Sequence, residues 1–565
     1  MFFCKRSNST PMVFVSKLVF NNGKEIHVKE NDIVVFVGPN NAGKSQSLKD
    51  IWALAGDSPM GIVIKELQIK SDSKNQLIAF LQKFSKIENA AFGPYCSGFK
   101  FSFYESDISK ISHEHLGKCR NAFMSFLSTD ERLSVCNPPD SIEWTDIPVH
   151  PIQQIARNQQ YRKTVTDYFM KAFGDPVAPN PLHGKTIPLY IGKIPEKSDL
   201  QGNDAQETIE WITQQLEEKL VLHEQGDGMR SLAGVLLYLS IDFYRTFLID
   251  EPESFLHPPQ AAIMGQIIAE LLKDDQQAFI STHSQHLIQG LLEKAPERVK
   301  IIRITRTDNQ NTISVLSNDR IGDLLQDPLL KHSGGLDGMF YKNVVICESD
   351  SDCQFYSIIN DHLKLQSGKF SETLFIHSNG KDRMATIAKT LKALNIDFRV
   401  IPDIDVLNQE TTIKELVASC DGNWGAFQTD YNVIANGFEN VKNSTGKEFI
   451  ESVEKIVSDK PNEELSRTKI EKIRRLLEYK SRWDEIKKTG ISGAPRGNAT
   501  VSLNNIVDHL KEIGIFVVPV GELECFVKQV GDHGPSWLNK VLEKYPDLND
   551  EVYNEVKHFV SSWNI

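Results

Sequence analysis

The chain has 565 residues, of which 40% are hydrophobic and 24% charged, and its formal net charge is −12. These values exclude general disorder, a fibrous repeat and a surface coated in basic residues, and the length predicts roughly two to four domains. The acidic total does not exclude nucleic acid as a partner, because carboxylates gathered around metal ions would mask a local basic groove.

Four apolar runs before about residue 335 predict strands covered on both faces by helices, namely VSKLVF, IVVFVG, TFLID and QAFIST. About 200 residues separate the second run from the third, and AQETIEWITQQLEEKL among them has helical periodicity. A nucleotide-binding core needs fewer residues. We therefore predict a first domain over residues 1–335, with an inserted region at about 60–225 that is a candidate for dimerisation.

The segment IVVFVGPNNAGKSQSLKDI has the order strand, glycine loop, helix, and it matches GxxxxGK[ST]. Glycines allow backbone N–H groups to surround phosphates at a helix N-terminus, while Lys44 balances the phosphate charge and the Ser45 hydroxyl reaches Mg²⁺. The motif predicts an ATP site that is formed by Gly38, Asn40, Asn41, Ala42, Gly43, Lys44 and Ser45.

Two later strand ends add chemistry to this loop. At the end of the strand in TFLIDEPESFLHPPQ, Asp250 is expected to help bind Mg²⁺ and Glu251 to orient or deprotonate the attacking water. At the end of the strand in QAFISTHSQHLI, His283 is expected to contact the γ-phosphate. The longest apolar stretch, Ser231 to Ile249, contains Asp242 and Arg245. It is therefore predicted to be a buried helix followed by a buried strand rather than a membrane span.

These three motifs in this order resemble the ABC-type ATPases, particularly the branch with RecF-like and SMC-like DNA enzymes. In that family a signature segment of one subunit closes on the nucleotide of the other. The candidate is EQGDGMRSLAGVLLYL, which departs from the usual LSGGQ. The resemblance implies a homodimer or higher homo-oligomer with ATP contacted by Gly228 and Ser231. It also implies a glutamine at the metal, for which Gln153 and Gln154 are candidates.

A second set of apolar runs, VVICE, TLFIHS, DFRVIPDID and IFVVPV, predicts another parallel sheet. We predict a second domain over residues 336–565, with a helical insertion at about 408–511. The centre of this insertion, SRTKIEKIRRLLEYKSRWDEIKK, combines apolar residues at helical spacing with many cations. A basic helix over Lys469–Lys488 is a candidate for tracking a DNA backbone, and a solvated, salt-bridged helix is the alternative.

Carboxylates follow three strand ends of this second set, and no Cys or His ligand is expected beside them. They are Glu348 with Asp352 one helical turn later, Asp403 with Asp405, and Glu522 with Glu524. Hard oxygen ligands favour Mg²⁺ or Mn²⁺ over zinc, and two such ions can support phosphodiester cleavage. This pattern predicts a metal-dependent nuclease site.

The order of Glu then DxD resembles the TOPRIM domain of topoisomerases, primases and nucleases. Behind an ABC-type ATPase, it is similar to the overcoming-lysogenization-defect (OLD) family of nucleases, which act in bacterial phage defence. The resemblance implies an α/β fold in both domains, metal ligation by all six carboxylates and catalytic roles for Glu348, Asp403 and Glu524. Ser349 replaces the glycine that usually follows the first Glu, and Lys540 is the candidate for the family's late catalytic lysine.

The combined prediction is an ATP-hydrolysing, metal-dependent DNA endonuclease whose ATPase state gates cleavage. Two alternatives are an ATP-switched scaffold with an inactive TOPRIM site and a topoisomerase-like strand-passage enzyme; membrane transport is a weaker one. OLD-like nucleases also occur beside partners, which implies a reverse transcriptase and a structured RNA as candidate partners here. Scattered cysteines and no visible secretion signal predict a cytoplasmic protein without a membrane partner.

Overall fold

The computed structural model describes residues 11–90, 93–180, 184–193, 205–308, 310–316, 336–438, 445–458, 464–477 and 482–563. The chain divides into two compact units, Met1–Pro328 and Leu329–Ile565. The predicted boundary after residue 335 falls at the edge of a segment, 317–335, that is outside the described residues. Each unit contains a parallel sheet flanked by helices, so the predicted mixed α/β class is confirmed.

The first unit contains strands and helices in alternation. Its strands are β1 Val13–Phe20, β2 Glu25–His27, β3 Ile33–Val37, β4 Ile64–Ser71, β5 Lys86–Ala90, β6 Gly93–Gly98, β7 Phe101–Tyr104, β8 Met124–Leu127, β9 Val177–Pro179, β10 Leu189–Ile191, β11 Thr246–Asp250, β12 Gln277–Ser281, β13 Val299–Thr307 and β14 Gln310–Leu316. Its helices are α1 Lys44–Ala55, α2 Lys74–Leu81, α3 Glu105–Ile108, α4 Arg120–Phe123, α5 Thr129–Ser134, α6 Pro151–Arg157, α7 Gln159–Phe173, α8 Ala205–Glu217, α9 Asp227–Ser240, α10 Pro258–Leu271 and α11 Gln285–Lys294.

A six-stranded sheet with the order β14-β13-β3-β12-β11-β8 forms the centre of this unit. Only the β13–β14 pair is antiparallel. The strands β3 and β12 are buried along their whole length, as their unbroken apolar runs predict for strands covered on both faces. Because parallel strands end at one edge, β3, β11 and β12 deliver their following loops to the same place.

Two expectations for the first unit need correction. The run VSKLVF forms β1, but this strand lies in a separate antiparallel sheet of order β2-β1-β4, and its centre is only partly buried. The stretch 60–225 is not one inserted piece either. It supplies β4 to that small sheet and β8 to the central sheet, and a four-residue strand such as β8 carries too little periodicity to be recognised.

The apolar stretch that begins at Ser231 forms the buried helix α9 and the strand β11, as predicted. None of the described helices combines the length and the hydropathy that crossing a membrane requires.

The second unit has a parallel three-stranded sheet of order β16-β15-β17. Its strands are β15 Asn343–Cys347, β16 Thr373–His377 and β17 Asp397–Ile401. Its helices are α12 Asp350–Gln366, α13 Met384–Ala393, α14 Glu410–Ser419, α15 Trp424–Phe438, α16 Gly446–Val457, α17 Arg467–Leu477, α18 Arg482–Thr489, α19 Asn498–Glu512, α20 Gly534–Lys544 and α21 Asn554–Ser561. The helices α14 to α19 occupy the stretch predicted as an insertion.

The run IFVVPV was expected to be a strand, but it is not a regular one. It runs beside β17 through a single parallel bridge between Val400 and Ile515. The Phe516 N–H donates to the Val400 carbonyl at 2.8 Å, and the Val518 N–H donates to the Pro402 carbonyl at 3.0 Å. Prolines lack the N–H that would continue the ladder. The segment nevertheless carries the residues after it to the carboxyl edge of the sheet.

Candidate functional site

The loop between β3 and α1 has a backbone that only glycine accommodates at two positions. Gly38 has φ +145°, and a Cβ there would lie 1.9 Å from the Ile304 carbonyl oxygen. Gly43, the residue before α1, has φ +105°, and a Cβ there would lie 2.7 Å from Val63. The loop therefore curls tightly and turns its backbone toward the N-terminus of α1, the arrangement that binds phosphate.

Lys44 is buried at this turn, with 4% of its surface exposed. Its ammonium group donates to the carbonyl oxygens of Gly38 and Pro39, each at 2.8 Å. Burial lowers the pKa of Lys44 to about 8, although the negative charges of Glu251 and its neighbours oppose this shift. A cation held under such conditions is stabilised by an incoming anion.

The ends of β11 and β12 place the predicted catalytic residues next to this loop. The Ser281 hydroxyl donates to the Asp250 carboxylate, and Nε2 of His283 lies 3.5 Å from Oε1 of Glu251. Burial, together with the charge of Lys44, lowers the pKa of His283 to about 4. His283 is therefore neutral near pH 7 and can donate or accept a hydrogen bond at the cleft.

A cleft of about 950 Å³ opens between these elements. Its lining comprises Asn21, Asn40, Asn41, Ala42, Gly43, Lys44, Ser45, Gln46, Ile62, Val63, Lys65, Glu251, His283, Arg306, Gln310 and Asn311. It thus unites the predicted loop residues from 40 to 45 with two of the predicted catalytic residues. Its size and its concentration of loop N–H groups suit a nucleotide with its phosphates at the loop.

Two residues that sequence reasoning missed support this cleft. Asn311, 4% exposed, donates from Nδ2 to the Ala42 carbonyl at 2.7 Å and accepts from Asn21 at 2.8 Å. No local pattern marks it, because it comes from a hairpin far along the chain. Glu253 accepts from the Thr282 hydroxyl and from the His283 N–H at 2.8 Å. Its place two residues after Glu251 is a signal that the sequence did contain.

The predicted signature and glutamine residues do not line the cleft. Ser231 is fully buried, and its hydroxyl accepts from Nε of Arg132 at 3.0 Å. Gly228 approaches the Phe255 carbonyl so closely that a Cβ would lie 2.7 Å from it. Gln153 caps its own helix by accepting from the His150 N–H at 2.9 Å, and Gln154 donates to the Pro148 carbonyl. Within one copy of the chain, these side chains therefore have structural partners.

In the second unit, three predicted carboxylates converge at the carboxyl edge of the sheet. Glu348 follows β15, Asp403 and Asp405 follow β17, and their ligand oxygens all lie within 4.8 Å of one another. Oε2 of Glu348 and Oδ1 of Asp405 are buried and accept no hydrogen bond within the described residues. Buried oxygens without donors fit a hard divalent cation, so this group of residues is suited to hold one.

A second group is formed by Glu522, Glu524 and His533, again with ligand atoms within 4.8 Å. The expectation of no histidine is therefore corrected, because His533 enters from the loop before α20, where its Nδ1 lies 3.5 Å from Oε1 of Glu524. Nothing in the local sequence indicates this contact. The imidazole is also compatible with Mn²⁺, which accepts nitrogen ligands more readily than Mg²⁺ does.

Lys487 lies between the two groups. Its Nζ is 3.6 Å from Asp403, 3.4 Å from Asp405 and 3.8 Å from Glu522. Although burial opposes it, the charges of these carboxylates raise the pKa of Lys487 above its usual range. Lys381 adds a second ammonium group, 3.2 Å from Oδ2 of Asp405. The centre thus holds excess negative charge that two lysines only partly balance.

Two close backbone contacts explain how the insertion brings Lys487 to the centre. Gly521 has φ +111°, and a Cβ there would lie 2.1 Å from the Lys487 carbonyl oxygen. Gly490, at the end of α18, comes equally close to Pro519. The Ile491 N–H then donates to the Pro519 carbonyl at 2.9 Å. These contacts fix α18 against the segment that carries Glu522.

Burial and mutual repulsion disfavour the ionised form of several carboxylates in and beside this centre. Burial and the charge of Asp405 raise the pKa of Glu348, while burial and the charge of Glu348 raise that of Asp403. Burial raises the pKa of Asp352 to about 6 and that of Glu522 above its usual range. Divalent cations would relieve this repulsion.

Three other expectations are not matched by the geometry. Asp352 belongs to neither group, because Oδ2 accepts from the Ser349 N–H at 2.8 Å and caps α12. Lys540 is paired with Asp532 at 2.9 Å and is half-exposed.

The predicted basic helix is divided into two helices, α17 and α18. Lys480 and the side chains of Arg475 and Arg482 lie outside the described residues, and Lys487 is directed to the acidic centre.

Comparison with known proteins finds a match to an ATPase domain family within the first unit. Residues 99–289, which include Asp250, Glu251 and His283, match the family described as "AAA domain, putative AbiEii toxin, Type IV TA system". The Old nuclease of Escherichia phage P2 is a homologue, 22% identical over 306 residues. This match covers 50% of the present chain and 49% of the Old nuclease, so the chain spans about half the length of that relative.

A shorter relative is an uncharacterized protein of Methanocaldococcus jannaschii, 34% identical over 96 residues, which are 16% of this chain and 84% of that protein. Solved structures with distant likeness are SMC head domains. One is the SmcHead bound to the C-winged helix domain of ScpA, with 12% identity, a TM-score of 0.33, and coverage of 55% of this chain and 99% of that one. Another is the SMC head domain from Thermotoga maritima, with 11% identity, a TM-score of 0.27, and coverage of 54% and 98%.

Proposed function

We propose, from the premise that this chain is a homologue in the OLD family, that it is an ATP-hydrolysing, divalent-metal-dependent DNA endonuclease of anti-phage defence. The observation that carries the proposal is the carboxylate centre of the second unit. Two groups of ligands, Glu348 with Asp403 and Asp405, and Glu522 with Glu524 and His533, are linked by one lysine. Such a centre, in a chain that also has an ATPase domain, suits controlled hydrolysis of a charged polymer.

In the ATPase, the chain's own groups divide the work. The loop from Asn40 to Ser45 and the ammonium group of Lys44 bind the phosphates of ATP, whose Mg²⁺ would be held by Ser45 and Asp250. Glu251 orients and deprotonates the attacking water. His283, neutral near pH 7 and 3.5 Å from Glu251, holds that carboxylate in place and contacts the γ-phosphate.

In the nuclease centre, the two groups of ligands would each hold one divalent ion, Mg²⁺ or Mn²⁺. Bound ions supply a water of lowered pKa and a counter-charge for the leaving oxygen. Lys487 orients the scissile phosphate between the two groups and neutralises the charge that develops on it. Lys381 keeps the Asp405 carboxylate turned toward the centre, since its Nζ contacts both the carboxylate and the backbone carbonyl of that residue.

The remaining parts of the proposal rest on the family resemblance. ATP binding closes a homodimer or higher homo-oligomer, and this closure gates access of DNA to the carboxylate centre. We place the enzyme in the cytoplasm, without a membrane partner. A reverse transcriptase and a structured RNA are the partners proposed for a defence module that contains it.

A cleavage assay tests this function directly. Plasmid, linear and single-stranded DNA are incubated with Mg²⁺ or Mn²⁺, with and without ATP, using wild type, Lys44→Ala and Glu348→Ala. We expect Glu348→Ala to abolish DNA cleavage. We expect DNA cleavage by Lys44→Ala to be the same with and without ATP. The proposal fails if wild type cleaves neither DNA nor RNA under any nucleotide condition. Loss of cellular function in Lys44→Ala but not in Asp403→Ala would instead favour an ATP-switched scaffold.

A further inference from the structure

Arg132 of α5 is a fully buried arginine next to the ATPase strand ends. Its Nη1 donates to the carbonyl oxygens of Leu127 at 2.9 Å and Asp250 at 2.6 Å, and its Nη2 donates to the carbonyl of Glu251 at 3.0 Å. Its Nε donates to the hydroxyl of Ser231 on α9 at 3.0 Å. One guanidinium group thus joins the backbone of the catalytic residues to the helix of the signature segment.

The packing of α5 against α9 makes this reach possible. Gly234 of α9 faces α5, and a Cβ there would lie 2.3 Å from the Arg132 carbonyl oxygen. The thiol of Cys136, two residues after the end of α5, donates to the carbonyl of Arg230 on α9 at 3.2 Å and adds a contact beside this packing. A shift of α9 along α5 would therefore move Ser231 relative to Arg132.

The backbone that Arg132 holds is an unfavourable one. Glu251 has φ +47°, a left-handed conformation that is unfavourable for a residue with a side chain. Burial lowers the pKa of Arg132 to about 10, although the nearby carboxylates of Glu253, Asp250 and Glu251 oppose this shift. The group remains charged near pH 7. A buried charge is tolerated only when its hydrogen bonds are satisfied, so the set of acceptors is constrained as a unit.

We propose that Arg132 is a positioning residue that couples the signature helix α9 to the orientation of Glu251. In this arrangement Ser231 acts through Arg132 within its own subunit, not by touching the nucleotide of a second subunit. Movement of α9 changes the hydrogen bond at Ser231, and the guanidinium group transmits the change to the carbonyls of Asp250 and Glu251. This inference rests on the proposed ATPase function and deepens it.

A double-mutant cycle tests the coupling. Arg132→Lys keeps a cation but loses the forked donors. We expect it to lower the kcat for ATP hydrolysis by about 30-fold, and Ser231→Ala by about 5-fold, each with ATP affinity within about twofold of wild type. The double variant should match Arg132→Lys alone, because the two residues act through one contact. ATP-dependent self-association should be the same in all of them.

A matched variant separates coupling from general damage. Ser240→Ala removes another buried hydroxyl of α9, one that has no hydrogen-bond partner within the described residues. It should retain the kcat of wild type within about twofold. Thermal midpoints of all variants show whether any loss follows from unfolding.

Hydrogen exchange gives a readout that does not depend on turnover. In nucleotide-free protein, the backbone amides of Asp250, Glu251 and residues 253–256 should exchange faster in Arg132→Lys and Ser231→Ala than in wild type, and Ser240→Ala should leave their exchange unchanged. The inference is overturned if the kinetic effects add independently, if Ser231→Ala weakens self-association or ATP affinity instead of kcat, or if exchange is unaltered. Absence of ATP hydrolysis in wild type would overturn the proposed function, and the exchange pattern would still decide the coupling.

Discussion

The nucleotide cleft and the carboxylate centre depart from ordinary protonation in opposite directions. In the cleft, burial lowers the pKa of Lys44 to about 8 and that of His283 to about 4. In the centre, burial raises the pKa of Glu348 and of Asp403. Burial disfavours whichever form is charged, so a bound anion would stabilise the charged form of Lys44 in the first site, and bound cations would stabilise the ionised carboxylates of the second. The sign of the imbalance therefore indicates the class of ligand.

The two sites also differ in how the chain assembles them. The phosphate loop is one continuous segment whose backbone provides the donors, whereas the carboxylate centre draws on residues between Glu348 and His533. A site of charged side chains from distant segments tolerates the removal of one side chain poorly, because the remaining charges are then unbalanced. This contrast predicts that single substitutions in the centre reduce DNA cleavage more strongly than single substitutions in the cleft reduce ATP affinity.

The largest effect is expected from removing a ligand that also contacts Lys487. Asp403→Asn should lower metal-dependent DNA cleavage by about 1000-fold, because Asp403 belongs to one group of ligands and contacts Lys487 as well. ATP hydrolysis should remain within about twofold. The matched control is Asp397→Asn, an exposed acid at the opposite end of the same strand. Equal losses in both variants, or an unchanged cleavage rate in Asp403→Asn, would break the assignment of the centre.

A smaller loss is expected at the lysine that bridges the ligands. Lys487→Met should lower cleavage by about 100-fold without weakening DNA binding by more than about threefold, since its ammonium group is directed at Asp403, Asp405 and Glu522. Lys488→Met, an exposed neighbour on the same helix, is the control and should cleave normally. Cleavage rates and filter-binding measurements separate the two roles. If both variants lose binding equally, α18 is a DNA-tracking helix as the basic pattern alone predicts.

The sequence anticipated the local parts of both sites and missed the long-range ones. The glycine loop could be placed because its function lies in one strand–turn–helix segment, and Glu348 and Asp403 could be brought together because parallel strands end at one edge. Lys487 could not, because its position depends on Gly521 allowing a helix of the insertion to approach. Arg132 and His533 likewise depend on packing between distant segments, which no periodicity encodes.

Metal-free stability should reveal the raised pKa values of the centre. Asp352, 8% exposed, has a pKa of about 6 in the folded protein and about 3.9 when unfolded. As pH rises between these values, the unfolded chain ionises first, so stability falls, by up to about 3 kcal/mol for this group. We expect the calorimetric midpoint in EDTA to decrease from pH 4 to pH 7.

Added Mg²⁺ or Mn²⁺ sharpens this test. The ions should raise the midpoint at pH 7.5 and have little effect at pH 4.5, where protons occupy the carboxylates. Asp352→Asn removes one ionising group without removing a member of either group of ligands, so it should flatten the metal-free pH dependence and keep the response to metal. A midpoint that rises with pH in EDTA would contradict the raised pKa values.

The smallest effect is expected on ATP affinity in the cleft, where the titrating group is a cation and not a carboxylate. Bound phosphate favours the charged form of Lys44, while the free protein loses this proton with a pKa of about 8. The affinity for ATP should therefore be constant below pH 7 and fall by about fivefold between pH 8 and pH 9. Lys65→Met, which alters another lysine that lines the cleft, should keep this slope. Lys44→Arg should lose it over the same interval, because a guanidinium group stays charged there. A fluorescent ATP analogue measures the slope, and a flat profile in wild type would mean that Lys44 is not the cation that meets the phosphates.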